Sequence, residues 1–390
     1  MVKILRIKDI VDTISLTHKF NKDMLIAINT SDVENGVMHE GTLTLVQDLK
    51  GQFKKTIKKN DILYSEIRPA NRRFALVTKD DCSDYVVSTK LMVLRKKNKD
   101  VDLKYLYYCL TNQPFLDMLQ RRAENRIGSF PQITFDLLSE YAFYIPLLEE
   151  QKRISNVISF IDRKIELNKR INDNLEAMAK QLYDYWFVQF DFPNEEGKPY
   201  KSSGGAMVWN EKLKRELPKG WDFCFLENLL TIKNGRDHKH LADGIYPVYG
   251  SGGEMRKASE YLYDGESVLM PRKGSLNNIM YVNEAFWTVD TMFYSEIKQS
   301  NCAKYIYYTI KDIDFTRWDS GTGVPSMTSS TLYSIKLVKP QSEILKKFDE
   351  VISPLFEHMK QISEQNSVLT KQRDELLPLL MNGQASVNSD

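Results

Sequence analysis

A repeated pentapeptide is the feature that most constrains how this chain of 390 residues can fold. KYLYY at 104–108 returns as KYIYY at 304–308, with a single Leu-to-Ile change. In both copies a short apolar strand leads into a turn with Arg and Pro, a second strand and a β-rich run. Pro146 and Pro340 close the two copies. Repetition over this length indicates that one structural unit occurs twice.

A long, charged, helix-like segment follows each closing proline. The repeating unit is therefore a mixed α/β domain followed by one long helix. The predicted fold class is α+β, with two repeated mixed α/β domains separated by two long helices that pair as an antiparallel coiled coil. The predicted boundaries are 1–146 for the first domain, 147–190 for its helix, 191–220 for a polar, Gly/Ser/Lys-rich linker, 221–340 for the second domain and 341–384 for the second helix.

Apolar residues recur at intervals of four and three along both helices, which is the spacing of a coiled-coil seam. In the first helix the apolar pattern slips by one residue after Asn168, onto Ile171 and Met178. The residues predicted to pair the helices are Ile158, Ile161, Ile165, Leu175, Ile352, Leu355, Met359, Ile362 and Leu369. Pairing within the chain is the favoured arrangement, and packing of each helix on its own domain or on another subunit is the alternative.

Three residues interrupt the two seams. Asn168 and Asn366 each lie near the middle of a seam, where a buried Asn can fix the register of the pair. A solvated kink at these positions is an equally good interpretation. Pro354 removes a helical hydrogen bond and clashes with the preceding turn. Ser353-Pro354 therefore predicts a break or sharp kink, with Ser353 as N-cap of a new helix.

Motifs for catalysis are absent from the sequence. There is no phosphate-binding glycine loop, no dinucleotide motif and no Cys/His spacing for a metal, and the pair His238 and His240 fits a basic loop better than a metal site. We therefore predict neither catalytic residues nor a metal site in this chain. The four cysteines are widely scattered, which favours reduced thiols, and no apolar run approaches the length of a membrane span. The chain is predicted to be cytoplasmic, without a secretion signal or a membrane partner.

Basic residues cluster in predicted turns at similar places in both repeats, although the net charge is only +2. Arg in such loops can contact phosphates or the O6 and N7 atoms of guanine, and the alternative for each residue is a solvated surface. The residues predicted to bind DNA are Arg68, Arg72, Arg73, Arg122, Arg126, Ser129, Lys233, Arg236, Arg272, Lys273, Arg317 and Thr322.

The stretch IPLLEEQKRISNVISFIDRKIELNKRINDNLEAMAKQLYDYWFVQFD at 145–191 resembles the central region of the specificity subunits of type I restriction-modification enzymes. LPKGW at 217–221, YPVYGSGG at 246–253 and LLPLLMNGQ at 376–384 are also similar to stretches of that family. The resemblance implies two target recognition domains, each specific for one half of a bipartite site in double-stranded DNA. It also implies helices that set the gap and dock two modification subunits.

The same resemblance implies that no cofactor belongs to this chain. S-adenosylmethionine, ATP and magnesium would bind to the partners, which are the modification subunits and the restriction subunits. A coiled-coil scaffold whose two repeated domains bind protein partners is the alternative function. A self-contained methyltransferase or nuclease is disfavoured by the missing motifs.

Overall fold

The computed structural model describes residues 3–49, 51–125, 131–318, 325–385 and 387. The chain forms two compact units. Unit 1 comprises Met1–Asn168 and Glu364–Asp390, and unit 2 comprises Lys169–Ser363. Each unit therefore contains one mixed domain and a part of each long helix.

In unit 1, strands and short helices alternate before the first long helix. The strands are β1 (Lys3–Arg6), β2 (Val11–Thr13), β3 (Met24–Ile28), β4 (Val33–Glu34), β5 (Val37–Met38), β6 (Thr42–Leu45), β7 (Phe53–Lys55), β8 (Ile62–Ser65), β9 (Phe74–Leu76), β10 (Tyr85–Ser88), β11 (Leu91–Lys96) and β12 (Ala142–Ile145). The short helices are α1 (Ile7–Ile10), α2 (Leu103–Thr111), α3 (Gln113–Glu124) and α4 (Phe135–Ser139). The strands form two four-stranded sheets, in the orders β6-β3-β10-β7 and β2-β11-β8-β9, and the two-stranded ladders β1-β12 and β4-β5.

Unit 2 is built on one larger sheet. Its strands are β13 (Met207–Asn210), β14 (Arg215–Pro218), β15 (Asp222–Phe225), β16 (Leu230–Asn234), β17 (Asp243–Gly250), β18 (Gly253–Ala258), β19 (Tyr263–Pro271), β20 (Met280–Thr288), β21 (Met292–Ile297) and β22 (Lys336–Lys339). The long helices are α5 (Leu148–Tyr183) and α8 (Ser342–Met381), and the short helices of unit 2 are α6 (Ala303–Lys311) and α7 (Ser329–Tyr333). The sheet order is β16-β21-β19-β20-β17-β18, with separate ladders β15-β22 and β13-β14. The set β16-β21-β19 repeats the order β2-β11-β8, which confirms the predicted repeat of a mixed domain.

The repeated pentapeptide forms the nine-residue helices α2 and α6. The hydroxyl of Tyr105 donates to the carbonyl of Tyr144 at 2.9 Å, and the hydroxyl of Tyr305 donates to the carbonyl of Val338 at 2.5 Å. Both tyrosines are buried. One side of each helix is thus fastened to the last strand of its domain.

The last tyrosine of each pentapeptide is bonded to the long helix α5. The hydroxyl of Tyr108 donates to Asp162 at 2.7 Å, and that of Tyr308 donates to Glu176 at 3.2 Å. Burial is the main cause that raises the pKa of both phenols, and the nearby carboxylates raise it further. The tyrosines therefore stay protonated and donate. The repeated sequence is thus explained by a repeated attachment of domain to helix.

The long helices run antiparallel within each unit. In unit 1, Asp162 of α5 contacts Arg373 of α8 at 3.1 Å, and six residues further along α5 Asn168 contacts Asn366 at 2.9 Å. In unit 2, Asn172 of α5 donates to the carbonyl of Met359. The α8 residue number falls as the α5 number rises, which confirms the predicted antiparallel pair within the chain.

Helix α5 keeps its heptad phase beyond Asn168. Met178 is exposed while Ala179 is fully buried, and the inner face continues through Asn172 and Leu175. The predicted slip onto Met178 is therefore wrong. The prediction followed the larger apolar side chains, whereas a small residue and an amide occupy the inner positions. The residues predicted to pair the helices are buried at Ile158, Ile161, Ile165, Ile352 and Ile362, and half-buried at Leu175, Leu355, Met359 and Leu369.

Helix α8 passes through Ser353 and Pro354 without a break. The predicted break at this point is wrong. Phe348 and Ile352, on the preceding turns, are fully buried in the core of unit 2, whereas Pro354 is exposed. Packing on the inner face holds the helix together, and the proline ring points to the outer face.

Residues 191–220, predicted to be a linker, are folded in unit 2. Strands β13 and β14 form an antiparallel hairpin. The ring of Phe192 stacks between Tyr200 at 4.7 Å and Trp221 at 4.9 Å, and Ser202 donates to Asp191. The aromatic residues within this polar segment give it an apolar core to pack on.

Candidate nucleic-acid interface

Each unit holds a pair of short backbone segments, which we call a bracket. The bracket of unit 1 joins residues 66–68, which follow β8, to residues 131–133. The amide of Ile133 donates to the carbonyl of Glu66 at 2.7 Å, and the amide of Arg68 donates to the carbonyl of Pro131 at 3.0 Å. Between these bonds Ile67 forms an antiparallel bridge with Gln132.

The bracket of unit 2 joins residues 272–274, which follow β19, to residues 325–327. The amide of Met327 donates to the carbonyl of Arg272 at 2.9 Å, and the amide of Gly274 donates to the carbonyl of Pro325 at 3.1 Å. Lys273 forms the corresponding bridge with Ser326. The two brackets therefore share one backbone frame.

Arg68 and Arg272 lie at similar places in the two repeats of the sequence, and the shared frame shows how their positions correspond. Equivalent hydrogen bonds pair Glu66 with Arg272, and Arg68 with Gly274. The two arginines are thus two residues apart in the frame. Arg68 adopts a positive φ of 47°, close to the left-handed conformation that Gly274 also adopts with φ of 89°. The turn needs this conformation, so Gly is the less strained residue there.

Three predicted arginines lie at the end of the first half of the unit 1 bracket or within five residues after it, and their surroundings differ. Arg72 is held by hydrogen bonds to Asn35 at 2.9 Å and Gln113 at 2.5 Å, and its guanidinium lies 5.6 Å from the ring centre of Phe74. The side chain of Arg73 makes no hydrogen bond or ion pair within the described residues, and its backbone carbonyl accepts from the amide of Ser65 at 2.9 Å. Arg68 is exposed. Arg72 therefore has a structural role, whereas Arg73 has its charge available for a ligand.

The other predicted residue of unit 1, Arg122, is exposed in the last turn of α3. Arg126, Ser129 and Thr322 lie outside the described residues, in the two segments that immediately precede Pro131 and Pro325. Along the sequence, the second half of each bracket therefore begins directly after one of these two segments.

In unit 2 the bracket opens into a cleft of about 250 Å³. Its lining is mostly polar and includes Arg272, Lys273, Asn234, Ser326, Thr328 and Ser329. Arg272 is half-buried, and its guanidinium makes no hydrogen bond or ion pair with the described part of the chain. The cleft therefore combines a cation that lacks a carboxylate partner with several hydroxyl groups.

The remaining predicted cations of unit 2 lie on the surface. Lys233 pairs with Glu296 at 3.4 Å, and Arg317 pairs with Asp314 at 3.0 Å. Arg236 is exposed. Its backbone carbonyl accepts from the indole of Trp287 at 3.0 Å and its amide donates to Thr288, whereas its side chain has no hydrogen bond to a described residue. Exposed ion pairs of this kind contribute about 0–1 kcal/mol, so these lysine and arginine side chains remain available to a polyanion.

Sequence reasoning missed the polar residues of the brackets that are not cationic. The carboxylate of Glu66 accepts a hydrogen bond from the side-chain amide of Gln132 at 2.8 Å. Gln132 and Ser326 each follow the proline that begins the second half of a bracket, so the repeat itself could have identified them. A search for basic residues alone could not.

Within the described ranges, other reactive groups form no alternative site. No cluster of three or more His, Cys, Asp or Glu that could hold a metal occurs among the described residues. All four cysteines are buried and free. Burial raises the pKa of Cys224 to about 11 and that of Cys302 to about 12, which keeps these thiols protonated and unreactive near neutral pH. None of the described helices has the length and hydropathy needed to cross a membrane.

The chain therefore carries two domains of one architecture, each with a bracket whose side chains differ from those of the other and each bonded to α5 by a tyrosine. The chain belongs to the family described as the type I restriction modification DNA specificity domain, whose model matches residues 2–177 and 218–366. The two matched stretches correspond to the two copies of the repeat.

Curated relatives agree with this assignment. The chain is 28% identical to the type I restriction enzyme HindI specificity subunit of Haemophilus influenzae, over 96% of this chain and 98% of the relative. It is 28% identical to the MjaIX specificity subunit of Methanocaldococcus jannaschii, over 73% of this chain and 69% of the relative. The crystal structure of a type I restriction-modification S subunit from M. genitalium matches 98% of this chain and 96% of its own, with a TM-score of 0.58 at 18% identity. That structure supports the fold.

Proposed function

We propose that this chain is the DNA-recognition subunit of a type I restriction-modification complex, and that each mixed domain is a target recognition domain for one half of a bipartite site. The observation that carries the proposal is the shared bracket frame. Its backbone hydrogen bonds are the same in both units, whereas its side chains differ. A constant frame with changed side chains is what two domains of one architecture need in order to recognise two different sequences.

The paired helices set the gap between the half-sites and dock two modification subunits in this proposal. Both helices carry heptad seams on one face, and exposed apolar residues remain on other faces, among them Phe160 and Leu167 of α5. The partners supply the chemistry. Methyl transfer from S-adenosylmethionine belongs to the modification subunits, and the reactions that use ATP and magnesium belong to the restriction subunits. This chain is non-catalytic and acts in the cytoplasm.

A domain exchange tests the proposal. Residues 221–340 are replaced by the corresponding domain of a relative, and methylated adenines are mapped in a host that expresses the modification subunits. The expected result is a change in one half of the methylated motif with the other half retained. The donor domain should keep the equivalent of Tyr308, so that its hydrogen bond to Glu176 survives.

The reciprocal exchange of residues 1–146 is the matched control and should change only the other half. A change in both halves, or in neither, contradicts independent recognition. A complex that assembles but binds duplex DNA no better than unrelated polyanions would favour the protein-binding scaffold.

A further inference from the structure

The two brackets present opposite hydrogen-bonding chemistry at equivalent positions. In unit 1 the frame places Glu66 and Gln132 side by side, with Nε2 of Gln132 donating to Oε2 of Glu66 at 2.8 Å. In unit 2 the equivalent residues are Arg272 and Ser326. One bracket therefore presents mainly acceptor oxygens, and the other presents a set of donors.

The donors of Arg272 suit one base edge. A guanidinium has five N–H donors and no acceptor. Guanine alone presents two acceptors, O6 and N7, side by side in the major groove. Arg272 is half-buried at the cleft and its donors have no partner in the described residues. Lys273, the next residue of the bracket, and Arg236 are exposed, which suits sequence-independent contacts with phosphates.

The acceptors of unit 1 suit the opposite kind of edge. The second carboxylate oxygen of Glu66 accepts no hydrogen bond from the described residues. The side-chain carbonyl oxygen of Gln132 is also an acceptor, because its bond to Glu66 uses Nε2. Carboxylates accept from the N4 amino group of cytosine, and Gln pairs with the N6 and N7 atoms of adenine. The bond between the two side chains fixes their orientation before any DNA binds, which lowers the cost of ordering them on binding.

We propose that the first residue of each bracket determines one base of the corresponding half-site. Arg272 recognises a guanine, and Glu66 together with Gln132 recognises a base that presents an exocyclic amino group in the major groove, adenine or cytosine. This inference rests on the proposed function, because it assigns particular residues to the two recognition domains.

Conservative substitutions in the assembled complex test the assignment. Arg272→Lys keeps the positive charge and loses the planar fork, and Glu66→Gln keeps the shape and loses the charge. Binding is measured on a set of duplexes in which each base pair of the methylated motif is changed in turn. Arg272→Lys should reduce discrimination against replacement of one guanine by roughly 5- to 150-fold, in one half-site only. Glu66→Gln should relax one adenine or cytosine position in the other half-site.

Lys273→Gln is the comparison for a phosphate contact. It should weaken binding to all duplexes about equally and reduce the log–log salt slope by about 0.9, without changing the preferred motif. Arg272→Lys should leave that slope unchanged, because its charge is retained.

Three results would overturn the inference. The first is an unchanged motif and affinity in both conservative variants. The second is uniform weakening by Arg272→Gln with normal discrimination in Arg272→Lys, which identifies a phosphate contact. The third is loss of all binding by an assembled Arg272→Lys complex, since a single base contact accounts for only part of the affinity. The proposed function fails separately, if the unaltered complex shows no bipartite motif at all.

Discussion

The Asn168 side chain connects the two long helices inside unit 1, and its removal gives a quantitative test of the pairing. Asn168 is 1% exposed. Its Nδ2 donates to Oε1 of Gln365 at 2.7 Å and to Oδ1 of Asn366 at 2.9 Å. Asn172, at the next inner position of α5, makes one longer bond of 3.4 Å to the carbonyl of Met359, and its buried Oδ1 accepts none from the described residues. The two residues therefore form a matched pair for substitution by Ala.

The two substitutions should change the free energy of unfolding differently. Asn168→Ala loses two hydrogen bonds worth about 1 kcal/mol each, and regains about 0.6 kcal/mol of helix propensity, which leaves a loss of about 1.4 kcal/mol. Asn172→Ala gains the same propensity, loses one weak bond and removes an oxygen whose burial costs about 1 kcal/mol or more. Asn172→Ala should therefore be neutral or stabilising. For units of 195 residues, about 1.4 kcal/mol corresponds to a fall in Tm of about 3–6 °C.

Calorimetric unfolding of the two single variants measures this difference, and a double-mutant cycle with Asn366→Ala isolates the contact between Asn168 and Asn366. The coupling energy should be about 0.5–1.5 kcal/mol. Equal effects of Asn168→Ala and Asn172→Ala, or a coupling energy of zero, would show that the amide layer does not hold the helices together.

Three further predictions follow from the fold and the brackets. Pro354→Ala should stabilise unit 2 by up to about 3 kcal/mol, because the proline occupies the interior of an unbroken helix; an unchanged denaturation midpoint would mean that the helix has relaxed around it. Arg73→Ala should weaken DNA binding by the assembled complex at unchanged Tm, whereas Arg72→Ala should lower Tm, because Arg72 is bonded to Asn35 and Gln113; the reverse pattern would contradict these roles. The third change inserts one heptad into each long helix, between Lys164 and Ile165 in α5 and at the facing point of α8, between Leu369 and Thr370. Each helix should become about 10 Å longer. The preferred gap should then grow by about 3 base pairs of about 3.4 Å, with weaker binding because the grooves also rotate; an unchanged gap at full affinity would exclude the helices as the spacer.

The fold could be predicted where the sequence repeats or alternates regularly. The pentapeptides at 104–108 and 304–308, together with the heptads, were enough for two mixed domains and an antiparallel pair of helices. The errors came where local preference competes with packing. Pro354 disfavours a helix by itself, yet Phe348 and Ile352 bury the other face. The small side chain of Ala179 is a weak signal for a seam residue, yet Ala179 is buried and Met178 is exposed.

The candidate site could be predicted only in part, for a different reason. Basic residues in predicted turns identified the loops, because both the charge and the turn can be recognised from the local sequence. Charge could not distinguish Arg72 from Arg73. The side chain of Arg72 is hydrogen-bonded to Asn35 and Gln113, whereas that of Arg73 has no such bond within the described residues. The equivalence of Glu66 and Arg272 depends on backbone hydrogen bonds to residues more than 50 positions away, which the local sequence does not reveal.

The division of the chain into units also sets the order in which the two units can fold during synthesis. Unit 2 is a single continuous stretch, whereas unit 1 needs residues on both sides of it. At about 5–20 residues per second, the ribosome takes roughly 10–40 s to make the 195 residues from 169 to 363. During that interval Ile154 and Ile158 lack Leu377 and Leu380, with which they share a core. We therefore expect nascent chains whose residues 1–363 have all left the ribosome to resist protease in the second domain but not along the first half of α5. A chain protected throughout at that length would show that the first domain folds without its closing helix.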